Sequence, residues 1–272
     1  MDGKRTARTA IGWAAIEGWN PGLDDAERFV AADPGAFMAT ERDGEIVGTV
    51  ACPLYGPAYA FVGFYIVRPE LRGQGIGSPL FQRALERAGE RVVGLDGVLE
   101  QEASYAKRGF VLAHPNVRWR TEGVGDAPEG LVELSSVPFE ELLAFDAPIF
   151  GTERESFLRP WVDRPAGHAL ACLDEGRLAG YAVLRACHTG MKVGPLFADG
   201  PEVAETLLAG MVAAAGPGTE VFVDMPAANA RAAVLRERRE MEAGFETVRM
   251  YLNGRPPEDV ERVFAVTSFE FG

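Results

Sequence analysis

The chain has 272 residues, 47% of them apolar and 25% charged, with a formal net charge of −13. That length suits one large domain or two ordinary ones, and the apolar share is ample for a buried core. The acid excess disfavours nucleic acid as a partner, because phosphate backbones bind basic faces.

The three cysteines, Cys52, Cys172 and Cys187, are odd in number and lack CxxC spacing. They argue against a disulfide framework or a metal site, and for a reducing, cytoplasmic setting. The N-terminal "MDGKRTARTAIGWAAIEGW" is basic but has no continuous apolar core, so it makes a poor signal peptide. No run approaches the ~20 apolar residues that span a bilayer, and no membrane partner is expected.

In chain order, "WAAIEGW" has helical spacing. "MATERDGEIVGTVAC" reads as two strands joined at Asp43-Gly44, a hairpin signal. The apolar run "FVGFYIV" forms a strand that enters the glycine-rich turn "VRPELRGQGIGSPL". A helix over "SPLFQRALERAG" and a strand over "RVVGLDGV" come next, then Gly109-Phe110. "TEGVGDAPEG", residues 121–130, is the linker candidate.

Beyond it the same landmarks recur. "LACLDEGRLAGYAVL" repeats the hairpin around Glu175-Gly176, and "KVGPLFADG" repeats the next strand. The helix "PEVAETLLAGMVAAAG", the strand "EVFVDM" and Gly244-Phe245 complete the series. Two copies of one α/β unit are expected, at 1–123 and 130–272. Where the first copy has "RPELRGQGIG", the second has "ADGPEVAE", with one glycine and no arginine. Charge divides unevenly too: 14 Lys+Arg against 16 Asp+Glu up to Gly125, then 13 against 24, or −2 and −11. An acidic half could steer a cationic substrate, although a generally solvated acidic surface gives the same numbers.

The glycine turn is not a P-loop, which needs Gly-Lys-Ser/Thr, since Gly77 is followed by Ser78-Pro79. Nor does it fit G-x-G-x-x-G, because the closing position falls on Ser78 or Leu80, even though Asp96 lies where a ribose-binding acid would. What remains is Arg72-x-x-Gly75-x-Gly77 at a helix start. Glycine allows close backbone approach there, and the N–H groups favour a pyrophosphate. Pro79 suits a first helical turn and Ser78 an N-cap.

With its flanks, "YIVRPELRGQGIG" resembles the acetyl-CoA signature of the GNAT superfamily (Gcn5-related N-acetyltransferases), and "SYAKRGF" resembles that family's Y-x-x-x-G-F segment. "EGWNPG", "LDGV", Gln101-x-x-x-Tyr105 and "CHTGMKVGPLFAD" further resemble the two-domain YitH-like group. In that group a GNAT domain precedes a divergent second one, and the likeness covers nearly the whole chain.

The resemblance implies tandem GNAT-type α/β folds with mixed sheets, and a strand before the cradle that splays from its neighbour. Acetyl-CoA would lie in the gap as co-substrate. The backbone of Ile66 and Val67 would hold the pantetheine arm and thioester, and Arg72, Gly73, Gln74, Gly75, Ile76, Gly77 and Ser78 would hold the pyrophosphate. Gly63 fits a bulge or a close backbone approach. Tyr105 is the candidate general acid, because a phenol is protonated at neutral pH and can give its proton to the departing thiolate.

The strand contains no acid to serve as base, which leaves a water chain, Glu17, Glu45 or a group of the second domain. His188, in "CHTG", leads among the last, since histidine titrates near neutrality. Trp13, Trp19 and Asn20 lie in the region expected to line the acceptor site, with Glu17 beside them. His114 and His168 have no companions for metal ligation, and no metal is expected. Glu240 falls where the second copy should have its tyrosine.

The reading is an N-acetyltransferase that moves acetyl directly to a small primary amine, whether cationic or not, in a ternary complex. The alternative is a non-catalytic acyl-CoA-binding sensor or interaction module. A monomer or homodimer is expected, since a duplicated domain can stand in for a dimer partner.

Overall fold

The computed structural model describes residues 3–164 and 167–272. The first half runs α1 (Gly3–Ile16), α2 (Asp25–Ala32), β1 (Phe37–Arg42), β2 (Glu45–Ala51), β3 (Leu54–Tyr55) and β4 (Tyr59–Val67). It continues with α3 (Gly77–Ala88), β5 (Val92–Val98), α4 (Glu102–Ala106) and β6 (Val111–Glu122). The second half runs β7 (Leu131–Glu133), α5 (Phe139–Phe150), α6 (Glu155–Val162), β8 (Gly167–Asp174), β9 (Arg177–Ala186) and β10 (Met191–Ala198). After these come α7 (Pro201–Ala215), β11 (Glu220–Pro226), α8 (Ala233–Arg238), β12 (Glu242–Leu252) and β13 (Val263–Ala265).

Both expected hairpins form. Each turns through two residues with positive φ, Asp43 and Gly44 in one and Glu175 and Gly176 in the other, which is the geometry that matches strand twist.

The halves do not carry separate sheets. One mixed sheet runs β1-β2-β4-β5-β12-β6-β11-β10-β9-β8-β7. One long late strand of each half has crossed over: β12 pairs with β5 and β6, and β6 pairs with β12 and β11. The expected boundary at 123–130 is therefore a boundary in the chain and not in the sheet. Thr121 and Glu122, assigned above to the linker, end β6 opposite Val221 and Glu220.

Each crossing is pinned by a buried ion pair between directly opposed residues. On β6 and β11, Arg118 Nε and Nη2 donate to the two oxygens of Asp224 at 2.6 and 2.8 Å. On β12 and β5, Arg249 Nε and Nη2 donate to Asp96 at 2.6 and 2.8 Å. Asp96 is therefore a structural partner of Arg249 and not a ribose acceptor.

Near β4 and β10 the repeats diverge. β4 pairs with β5 only from Tyr59–Val92 to Val62–Leu95, after which the strands splay and leave a gap. β10 likewise leaves β11 after Val193–Val223. There, however, β13 fills the opening, pairing Leu196 with Ala265 and Phe197 with Val263. The tail beyond β13 continues into the first half. Phe271, fully buried, stacks on Phe29 with ring centroids 3.8 Å apart and contacts Phe37 and Phe64. Burying one such ring contributes about 1.5–3 kcal/mol, so the tail is a substantial tie between halves.

Arg249→Ala should leave Asp96 buried without its cation and lower the unfolding free energy by about 3–5 kcal/mol, read from urea denaturation. A loss below 1 kcal/mol would show that the clamp is dispensable.

Candidate active site

The gap between β4 and β5 opens into a cavity of about 420 Å³. It is lined by the cradle, by Tyr105 and by residues of both halves. Its floor is a bulge in β4. The register against β2 shifts between Thr49–Ile66 and Ala51–Gly63, and Phe64 there takes φ +49°. Gly63 answers to both readings given above: it borders the bulge, and a Cβ on it would come within 2.0 Å of the Glu270 carbonyl oxygen. The tail lies directly on this glycine.

Arg68 N–H bonds the Val47 carbonyl at 3.1 Å. Antiparallel alternation therefore turns Ile66 toward its β2 partner Thr49, while the amide and carbonyl of Val67 face the gap. This corrects the expectation for Ile66: its backbone is committed to the sheet, and it lines the cavity without offering those groups. Arg72 Nε donates to the Val67 carbonyl at 3.0 Å, and its Nη2 pairs with Glu17. The Arg72 side chain thus braces the cavity wall and does not reach toward a phosphate.

In the cradle, Gly73 and Gly75 take φ +76° and +81°, left-handed values that glycine adopts without penalty. Gly77 serves differently, since a Cβ there would lie 2.2 Å from Tyr65 Oη. Helix α3 starts at Gly77 with Ile76 as its N-cap and no side-chain cap, so its first N–H groups stay open to an anion. Ser78 is inside the helix and not its cap; its Oγ accepts from Arg108 Nη2 at 3.1 Å. Gln74 Nε2 donates to the Glu70 carbonyl at 3.2 Å and contributes only its backbone to the turn. Arg108, which the sequence reading missed, sets a positive charge beside the cradle. The signal was its place three residues after Tyr105, in the turn that ends α4, where its N–H bonds the Tyr105 carbonyl at 2.9 Å.

The Tyr105 ring packs where a side chain on Gly97 would sit, since a Cβ there would meet it at 2.6 Å. Its other neighbours are Phe81 and Phe110. Burial pushes the phenol well above its usual pKa, the nearby Tyr65 adds to this, and Arg108 opposes it. The group is a firmly protonated donor facing the cavity.

Of the other expected residues, Glu17 and Trp19 line the cavity. The Trp19 carbonyl is held by Arg118 Nη1 at 2.8 Å and Lys192 Nζ at 3.4 Å. Trp13 packs against the core. Asn20 and His188 are placed elsewhere. Both line a second cavity, of about 370 Å³, on the far side of Phe245. Asn20 exchanges two hydrogen bonds with the Thr189 backbone, at 2.8 and 2.9 Å, so its amide latches two loops together. His188 is exposed beside it and does not share the cradle's cavity, which rules it out as the base for chemistry there. Glu45 is exposed and bound to Arg68 at 2.8 Å. Among the described residues no group of three His, Cys, Asp or Glu could hold a metal ion, and no helix is long and apolar enough to cross a membrane.

Sequence reading also missed the residues the second half supplies to this cavity: Phe245, Thr247, Phe269 and Glu270. They lie more than 130 residues from the cradle in sequence; Phe245 was legible only as a landmark of the repeat, and no local motif marks the other three.

Among the described residues, the matching gap of the second half is filled by β13. Beyond the β13 plug, the N-terminus of α7 follows Gly200, next to Asp199, whose carbonyl accepts from Arg231 at 3.0 Å.

A splayed strand pair, an uncapped glycine cradle and a tyrosine in one cavity define an acyl-CoA-binding fold, present here in duplicate with one copy closed. Comparisons with known proteins agree. The model of the acetyltransferase (GNAT) family matches residues 7–110, and that of the acetyltransferase (GNAT) domain matches residues 142–265. The holothin acyltransferase of Pseudoalteromonas sp. (strain SANK 73390) is 32% identical over 263 residues, covering 96% of this chain and 89% of that protein. The N-acetyltransferase YitH of Bacillus subtilis (strain 168) is 24% identical, covering 77% and 75%. A Pyrococcus horikoshii protein of known crystal structure superposes with a TM-score of 0.84 at 22% identity, covering 99% and 93%. The chain belongs to the GNAT acetyltransferase family, in its tandem, YitH-like form.

Gly77→Ala should push Tyr65 aside, distort the cradle and weaken CoA binding at least tenfold by calorimetry. Tyr65→Phe in the same chain removes the 2.2 Å clash and should restore part of the affinity. No loss in the single variant would mean the cradle does not need glycine at 77.

Proposed function

We propose that the protein is an acyl-CoA-dependent N-acyltransferase that uses acetyl-CoA and passes its acyl group directly to a small primary amine in a ternary complex. The observation that carries this is the convergence of the Val67 backbone, the open N-terminus of α3 and Tyr105 on one cavity.

The pyrophosphate would lie on the N–H groups of residues 73–78, favoured by the helix dipole and by Arg108. The pantetheine arm would run along the exposed edge of β4. The thioester carbonyl would then sit near the Val67 amide, a fixed donor aimed at the oxygen where charge develops. Holding the amine beside it replaces a bimolecular encounter with a positioned one. The C–N bond forms, the C–S bond breaks, and the Tyr105 phenol protonates the leaving thiolate. The first half would thus carry the chemistry, with the second as a wall of its site.

The cavity gives little support to steering by the acidic half. Glu17 is paired with Arg72, and Asp96 with Arg249. Of the acids lining it, Glu270 alone comes from the acidic half, and one such group does not require the amine to be a polycation.

The test is release of free thiol from acetyl-CoA with a panel of amines. Tyr105→Phe should lower kcat by about 10²–10⁴-fold and leave CoA affinity within a factor of about two, while an unchanged kcat would remove Tyr105 from the mechanism. CoA binding without turnover on any amine would favour the sensor reading.

A further inference from the structure

The tail that closes the second half's gap brings one polar side chain, Glu270, into the first, and β12 brings another, Thr247. Glu270 is 2% exposed, lines the cavity, and has an Oε1 without any hydrogen-bond partner. Thr247, also 2% exposed, lines the same cavity with an unpartnered Oγ1. A buried unpaired oxygen costs about 1–3 kcal/mol, more when charged, and two of them facing one cavity point to a bound hydrogen-bond donor. Their placement fits this. The Glu270 backbone rests on Gly63, where β4 and β5 begin to part, and Thr247 stands opposite Val98 at the end of β5. The donor would therefore sit at the splay itself.

Three aromatic side chains, Trp19, Phe245 and Phe269, line the same cavity, together with the aliphatic Val62, Leu95 and Val98. Arg118 lies over the Phe245 and Phe269 rings, 5.6 and 5.1 Å from their centroids, and fixes both. Glu270 itself is set in a buried charge cluster. Asp25, Asp224 and Glu270 face Arg118, Arg185 and Lys192, three acids against three bases, each no more than 5% exposed. Arg164 joins the cluster through Asp25, at 3.1 Å, and is itself shared with Asp24.

Building on the transferase reading, we propose that Glu270 is the general base, that Thr247 orients the amine, and that the acceptor is a primary amine with a planar, aromatic body. The neutral amine enters with its ring between Trp19, Phe245 and Phe269. As nitrogen attacks the thioester carbonyl, one N–H proton passes to the Glu270 carboxylate while Tyr105 gives its proton to sulfur. Amide and free thiol result, and the proton on Glu270 returns to the Tyr105 phenolate through solvent. The charged groups facing Glu270 are Lys192 on β10, Asp25 on α2, Arg118 on β6 and Arg185 on β9. Burial raises its carboxyl above the ordinary range, the three cations pull it back, and Asp25 adds to the rise. A base must be deprotonated to act, so kcat should rise with pH through this raised value and level off above it.

The experiment uses the full chain with acetyl-CoA and tryptamine, phenethylamine, spermidine and lysine as probes, thiol release as readout and calorimetry for CoA binding. Tryptamine and phenethylamine are expected to be turned over with at least tenfold higher kcat/KM than spermidine or lysine; the reverse order overturns the acceptor class. Glu270→Gln should lower kcat about 10²–10³-fold, keep CoA affinity within a factor of about two and lose the acid limb of the pH profile. Thr247→Val should raise KM for the amine severalfold with a smaller change in kcat. Wild-type kcat in Glu270→Gln overturns the base assignment while leaving the transferase reading intact. CoA binding without turnover of any probe by the wild type overturns the reading and this assignment together. If Glu270→Gln no longer binds CoA, the wild-type profile decides: a kcat without any acid limb above the ordinary carboxylate range overturns the assignment.

Discussion

Two arginine–aspartate pairs, Arg118 with Asp224 and Arg249 with Asp96, hold the rest of the molecule in place. Each joins a residue of one half to a residue directly across from it on a strand of the other. Each is bidentate and buried, so neither partner can be satisfied if the crossing fails. The central order β5-β12-β6-β11 follows from them. Because β12 lies beside β5, the wall that β5 presents to the gap continues into second-half residues, and Thr247 and Phe245 come within reach of a cofactor held by the first half.

Against this near-symmetric frame, function rests on one asymmetry. Both halves open a gap where parallel pairing ends, after Val62–Leu95 and after Val193–Val223. In the second, β13 occupies the space and satisfies the free edge of β10. The segment that follows it then places Phe269 and Glu270 in the first gap and Phe271 in the central aromatic cluster. Loss of one site and completion of the other are thus two ends of a single segment.

Much of this was legible locally. The hairpins at Asp43-Gly44 and Glu175-Gly176, the strand into the cradle, and the absence of a cradle at Gly200 are all encoded within a few residues, by turn chemistry and alternation. Tyr105 was legible for the same reason, since its spacing to Gly109-Phe110 sits on one short helix and turn. What depends on pairing between distant segments was not. Nothing near Asp96 says that Arg249 will lie opposite it, and the "VRW" of β6 and "VRM" of β12 gain meaning only once the strands are known to cross. His188 misled for a related reason: a histidine in a loop carries no information about which side of Phe245 that loop will face. Glu270 was overlooked because an acid between two phenylalanines near the end of a chain resembles a frayed terminus, whereas tertiary contacts bury it completely.

The crossing of strands also bears on the order in which the protein can be made. β5 is synthesised early, yet its neighbour β12 lies some 150 residues later, the separation spanned by the Asp96–Arg249 bond. Until that strand leaves the ribosome the first half exposes the edge of β5, and β6 has no partner in its own half. Local hairpins and helices can form at once, but the cofactor cavity closes only when nearly the whole chain is present. Such long-range pairing is the kind that folds slowly and leaves strand edges open to aggregation in the interval. The nascent chain therefore carries its cradle for most of its synthesis without an active site around it.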